Sequence, residues 1–207
     1  MTAFTIDARR GDLWVVSAAG EGSSARSTLH KLQLVSGRAL LQARPAARAG
    51  AVHLVGVTVT PDGTVYAVDA GEARLFRLRP GSRSLEPVMR VGDAAPVAVA
   101  AADERTLYIA TAKGLLRVDL SAQTSSAVKS VEDLSGFESL TWRAGSLVGI
   151  ERVAGSYLVV RVKLDPSGTR AQPRQILAAS PDAIVGALAG SSFFYVSDST
   201  VRRLTLR

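Results

Sequence analysis

Cysteine is absent, and with it go disulfides, thiolate metal sites and cysteine nucleophiles. Asparagine is absent too, so no Asn side-chain oxygen is on hand to ligate an ion. Histidine occurs twice, as His30 and His53, which leaves little material for a histidine metal site or a proton relay. Aromatic residues make up only 5% of the chain and sit mostly at strand-like positions. The net charge of +7 comes almost wholly from arginines that are scattered, among them Arg9, Arg10, Arg44, Arg48, Arg161, Arg202 and Arg203. A nucleic-acid reader gathers its charge and interleaves stacking rings, so no nucleic-acid partner is expected. No apolar run approaches the roughly 18 residues of a bilayer span, so no membrane span is expected either. The opening residues MTAFTIDARRGDLW lack the basic segment, apolar stretch and cleavage site of a signal peptide. As given, the chain reads as soluble and cytoplasmic; an export signal ahead of it in a longer precursor would make it periplasmic or secreted.

What is present is a repeat. The 207 residues are 47% hydrophobic, ample for a buried core. Five copies of one pattern recur: an apolar strand, a turn with Asp or Gly, a second strand ending near a polar residue, and a third strand. The second strands begin near Leu13, Val65, Leu107, Leu147 and Phe194, 40 to 52 residues apart. Val57-Thr58-Val59-Thr60 alternates with the two-residue period of a strand, and Pro61-Asp62-Gly63 turns it into a hairpin. Arg79-Pro80-Gly81-Ser82 and Asp165-Pro166-Ser167-Gly168 punctuate the third strands, and Leu85–Val88 and Gln175–Leu177 follow as short outer strands. Four strands at a period in the low forties predict an all-β propeller of about five blades in one domain, approximately 1–50, 51–92, 93–132, 133–179 and 180–207. Small residues at Gly56, Ala98, Ala100, Gly186 and Ala187 suit inner strands that converge on an axis.

The phrases GVTVTPDGTVYAVDAGEARLFRLRPGS, RTLYIATAKGLLRVDL and LTWRAGSLVGIERV give the sequence a resemblance to the senescence marker protein, gluconolactonase and strictosidine-synthase-like propeller superfamily, with NHL-like repeats. The resemblance implies a bacterial member and a six-bladed ring, of which this chain would supply five blades with one missing at the N-terminal side. It also implies a divalent cation, often calcium, at the channel mouth, held by a first-blade Glu, an Asn before an inner strand and an Asp in a Pro-Asp-Gly. Here the Asn position falls at Pro96, which has no side-chain oxygen. The Pro-Asp-Gly position becomes Phe137-Glu138-Ser139, leaving Glu138 as the metal candidate, and the first-blade Glu has no counterpart.

By the repeat register, Thr2, His53 to Val55, Pro96, Glu138 and Asp182 ring one end of the channel. The second-strand ends add Ser17, Asp69, Thr111, Glu151 and Asp198. The ligand-binding mouth is therefore expected at His53, Glu138, Glu151 and Asp182, with Glu138 and His53 the candidates for catalysis, the latter because imidazole titrates near neutral pH. Trp14 and Trp142 read as blade packing, and Gly22-Ser23-Ser24 and Gly190-Ser191-Ser192 as turns. Two functions of different class follow. One is a propeller that binds a small molecule or protein at its channel face, through loops such as 19–27 and 42–52, without a cofactor. The other is a divergent lactonase-type hydrolase with a calcium or other divalent site rebuilt around Glu138.

Overall fold

The turn at Thr60–Thr64 shows how an aspartate can set an inner hairpin. Gly63 adopts φ 89°, and the Asp62 carboxylate accepts hydrogen bonds from the Thr64 amide at 3.0 Å and the Thr64 hydroxyl at 2.9 Å. Asp103 does the same work one repeat later, accepting from the Arg105 and Thr106 amides at 2.7 and 2.8 Å. An aspartate that bonds the backbone two or three residues on mimics a turn and stops the strand.

These hairpins are described in a computed structural model covering residues 3–20, 26–46, 49–180, 182 and 186–206. Thr2 and parts of the loops 19–27 and 42–52 lie outside the described residues. Four antiparallel meanders of four strands succeed one another. Blade 1 comprises β1 (Ala3–Asp7), β2 (Asp12–Ala19), β3 (Arg26–Gln33) and β4 (Ala39–Pro45). Blade 2 comprises β5 (Leu54–Val59), β6 (Val65–Asp69), β7 (Arg74–Leu78) and β8 (Ser84–Arg90). Blade 3 comprises β9 (Pro96–Ala101), β10 (Thr106–Thr111), β11 (Gly114–Asp119) and β12 (Thr124–Ala127). Blade 4 comprises β13 (Phe137–Arg143), β14 (Ser146–Val153), β15 (Ser156–Lys163) and β16 (Gln175–Ser180). A fifth sheet has three strands, β17 (Gly186–Ala189), β18 (Ser192–Ser197) and β19 (Thr200–Thr205). A short parallel pairing, Arg44 with Ser84 and Pro45 with Leu85, joins the outer strands of blades 1 and 2.

The core lies between blades rather than inside one sandwich. In β6, Val65 and Ala67 pack toward blade 1 with Trp14, Val16 and Leu29, while Tyr66 and Val68 pack toward blade 3 with Val99, Leu107 and Ile109. In β10, Tyr108 and Ala110 turn the other way, to Phe137, Leu140 and Leu147 of blade 4. Both faces of these strands are covered, which is why they read as continuous apolar runs. A last cluster, around Val148, Ile150, Phe193 and Tyr195, joins blades 4 and 5.

The inner strands follow one another round a common axis, β17 lying beside both β13 and β1. Small residues permit this. A Cβ on Gly56 would come 3.2 Å from the Ala98 Cα and the Val99 nitrogen of the neighbouring inner strand, and one on Gly186 would come 2.1 Å from the Phe193 ring. Inner strands use only one edge for pairing, and the other faces the axis. The Ala101 amide shows how such a group is satisfied: it donates to the Thr58 hydroxyl of blade 2 at 3.0 Å.

Candidate ligand channel

The five inner strands enclose a cavity of about 280 Å³. Its walls are Ala3–Ile6, Val55–Val59, Val97–Ala101, Glu138–Trp142 and Gly186–Leu188, one segment from each blade. Glu138 is the one charged side chain among the described residues lining it. The rest of the wall is mainly aliphatic, with the aromatic residues Phe4 and Trp142 and with hydroxyls of which three have backbone partners: Thr58 with the Ala101 amide, Thr141 with the Val148 carbonyl and Ser139 with the Ile150 amide.

Glu138, expected just before an inner strand at one end of the channel, is the second residue of β13 and lines the channel, at an irregularity between Phe137 and Ser139 where the register to β14 shifts. A bulge of this kind re-aims a side chain and exposes it. Its carboxylate sits 3.2 Å from the Arg152 guanidinium, and both side chains are exposed, so the pair is solvent-screened and weak.

The other carboxylates at this end are fasteners. Glu151 ends the buried part of β14, is 2% exposed, and pairs with Arg174, which also bonds Glu132 through its backbone amide at 2.9 Å and Nε at 3.2 Å. The bond to Glu151 is the main cause that holds the Arg174 pKa above the usual arginine value, although partial burial works against it. Asp69, fully buried at the matching position of β6, accepts from the His53 and Gly71 amides at 2.9 and 3.1 Å and pairs with Arg74 at 2.9 Å. Arg74 in turn donates to the Ala49 and Ala51 carbonyls, fixing the loop that leads into β5. Asp182 accepts from the Asp198 amide at 2.8 Å and the Ser197 hydroxyl at 3.0 Å. The Asp198 bond chiefly keeps the Asp182 carboxyl below the ordinary aspartate value, outweighing the opposing effect of burial. His53 contributes its backbone amide to Asp69, and its side chain is exposed. His30 bonds the Ser17 hydroxyl at 2.7 Å between β2 and β3.

The structure therefore places Glu138, Glu151, Asp182 and His53 in four separate networks. The register position expected for Asp198 falls on Ser197, because β18 ends there and Asp198 enters a turn with φ 50°. Pro96 begins β9, as the register required, and brings no oxygen ligand. Among the described residues, no three His, Asp or Glu side chains are placed to hold a metal ion. The donor set does not fit the divalent cation of the resembled superfamily, which needs several oxygens around one point. The arginine partners Arg74, Arg152 and Arg174 were not foreseen. Arg74 could have been, since a hairpin from Asp69 sets it directly opposite, whereas Arg174 lies 23 residues from Glu151.

Three solved structures share the architecture. A structural genomics protein of unknown function from Bacteroides thetaiotaomicron matches with a TM-score of 0.69 and 12% identity, over 98% of this chain and 58% of that one. Hydrazine synthase of Kuenenia stuttgartiensis matches at 0.66 and 15%, over 94% of this chain and 54% of that one. A chain of a nidogen/laminin complex matches at 0.61 and 12%, over 92% of this chain and 89% of that one. The chain is a β-propeller. At these identities the likeness carries the fold alone, and the propeller spans little more than half of the hydrazine synthase and Bacteroides chains. No protein-family model and no curated protein sequence matches it. Among the described residues no helix is long and apolar enough to cross a membrane. The two tryptophans pack as blade residues: Trp142 stacks on Tyr108 with centroids 5.3 Å apart, and Trp14 is 6% exposed beneath the Lys31 ammonium.

Proposed function

We propose that this propeller is a non-catalytic binding module whose central channel takes a small polar molecule, with Glu138 the charged group at its mouth and no metal or organic cofactor required. The observation that carries the reading is the fate of the carboxylates. Glu151, Asp69 and Asp182 are spent on arginines, backbone amides and hydroxyls that hold the inter-blade connections, which leaves no pair of acids for acid–base work at the channel. A cavity of about 280 Å³ is at the small end of ligand pockets and suits a metabolite-sized guest. The same face could also seat a protein, and one matched propeller comes from a nidogen/laminin complex.

One feature favours a second reading, a divergent lactonase-type hydrolase using calcium or another divalent ion. Glu138 does line the cavity, as such a site would demand. The two readings separate in a thermal-shift screen of amines, amino acids, sugars and carboxylic acids, run beside a lactone hydrolysis assay with and without calcium. The binding reading expects a compound that raises the melting temperature by mass action, loss of that rise in Glu138→Ala, and hydrolysis at the buffer rate throughout. Calcium-dependent lactone turnover that disappears in Glu138→Gln would establish the hydrolase instead.

A further inference from the structure

Blade 3 carries a second cavity, of about 390 Å³, that shares no residue with the central channel. Its walls all fall between positions 92 and 134: the connection from β8 to β9, the turn between β10 and β11 with the start of β11, and the connection from β12 to β13. Blades 2 and 4 pack against the two faces of blade 3, so the cavity has protein on both flanks. Local bonds fix the three segments. The Thr111 hydroxyl accepts from the Lys113 amide at 3.1 Å and donates to the Gly114 carbonyl at 2.9 Å, which closes the turn around Lys113. The Ala112 amide donates to the Ala95 carbonyl at 3.3 Å and the Val128 amide to the Leu115 carbonyl at 2.9 Å, tying this hairpin to both connections. Glu132 is engaged by Arg174. Leu115, Leu116, Val128 and Leu134 form the apolar wall. Two opposite charges on the lining are left over. Asp93 and Lys113 are both exposed, and among the described residues neither side chain has a hydrogen bond or ion pair, with the other or elsewhere.

We propose that this cavity binds a free α-amino acid with an aliphatic side chain, Lys113 meeting its carboxylate, Asp93 its ammonium group and the leucine–valine wall its side chain. A carboxylic acid alone would bring its charge beside Asp93 and Glu132, and an amine alone would bring its charge beside Lys113. A zwitterion answers both charges at once. Apolar burial then supplies affinity while the two charge-assisted hydrogen bonds set orientation, the usual division of labour in a small-molecule site. The volume is that of a site for a small metabolite.

L-leucine is the probe, titrated into the 207-residue chain and followed by amide chemical shifts in nuclear magnetic resonance. Saturable shifts are expected at Asp93, Lys113, Gly114 and Leu116. Isocaproate, isoamylamine and glycine each lack one of leucine's three groups and should each bind about tenfold or more weakly. Lys113→Met and, separately, Asp93→Asn should weaken leucine about tenfold or more at an unaltered melting temperature, because both side chains are exposed and unpaired. Lys113→Met leaves the affinity for isoamylamine undiminished, and Asp93→Asn leaves that for isocaproate undiminished. Glu138→Ala leaves leucine binding unaltered, which separates this site from the channel. The proposal is overturned by shifts that do not saturate, by a fragment that binds as well as leucine, or by leucine binding that survives both variants. It is overturned equally if leucine shifts only the channel segments and Glu138→Ala abolishes the effect, which would make the channel the site.

Discussion

Asp69 and Arg74 illustrate what a single buried charge does here. The carboxylate is fully buried, and the arginine side chain beside it is 14% exposed and tied to two loop carbonyls. Removing the carboxylate strands a cation and releases two amides at once, so Asp69→Ala should cost about 3–5 kcal/mol, read as a fall in the urea midpoint. The surface pair Glu138–Arg152 is the contrast, and Glu138→Gln should leave the unfolding free energy within about 1 kcal/mol of wild type. Aspartates also set the response to acid. Burial acts to raise the Asp62 pKa, but the Thr60 hydroxyl, the Thr64 amide and hydroxyl and the Arg10 charge outweigh it, and Asp182 is depressed by the bonds already described. A carboxyl whose folded pKa is lowered contributes stability above its unfolded value, here the ordinary 3.8, and loses it as pH falls through the folded value. Urea melts should therefore show full stability above about pH 4 and a decline below it, and Asp182→Asn should flatten that acid limb. Turn residues such as Pro61-Asp62-Gly63 were legible in the sequence because their chemistry is local. Glu151 was legible as a polar strand end, but not as the partner of Arg174, because the pairing depends on where a connection 23 residues on is folded back.

Among the elements, the strands buried on both faces were the easiest to read. The predicted β6, Val65–Asp69, matches the observed strand residue for residue, and β10 differs by one. The strand β18 was expected from Phe194 to Asp198 and runs from Ser192 to Ser197, since the glycine-serine turn before it is tighter than supposed. The inner strand β13 starts at Phe137, one residue ahead of Glu138 rather than after it, because the irregularity there adds a residue that periodicity does not show. Inner strands carry a further requirement, because one edge of each has no ladder. Thr58 meets it for Ala101 while being 7% exposed, so the isosteric Thr58→Val deletes the acceptor and little volume. The expected cost is about 0.5–1.5 kcal/mol, with faster exchange of the Ala101 amide by nuclear magnetic resonance.

The whole molecule is a ring of five sheets whose charged residues at one end hold the connections together. The clusters joining blades 1 to 2, 2 to 3, 3 to 4 and 4 to 5 supply the burial, and the repeat that foretold them was visible because each strand has to satisfy two neighbours at once. What the channel takes on the proposed reading was not legible in the sequence, because walls made mainly of apolar residues and backbone edges carry no motif. On the proposed reading the channel holds no divalent cation, and Glu138 is a lone charge at its mouth. Thermal melting of the wild-type chain with increasing calcium or manganese tests it most directly, since an ion that binds only the folded state must raise the midpoint. The midpoint is expected not to move with either ion, in the wild type and in Glu138→Gln alike. A rise of several degrees that Glu138→Gln abolishes would contradict it.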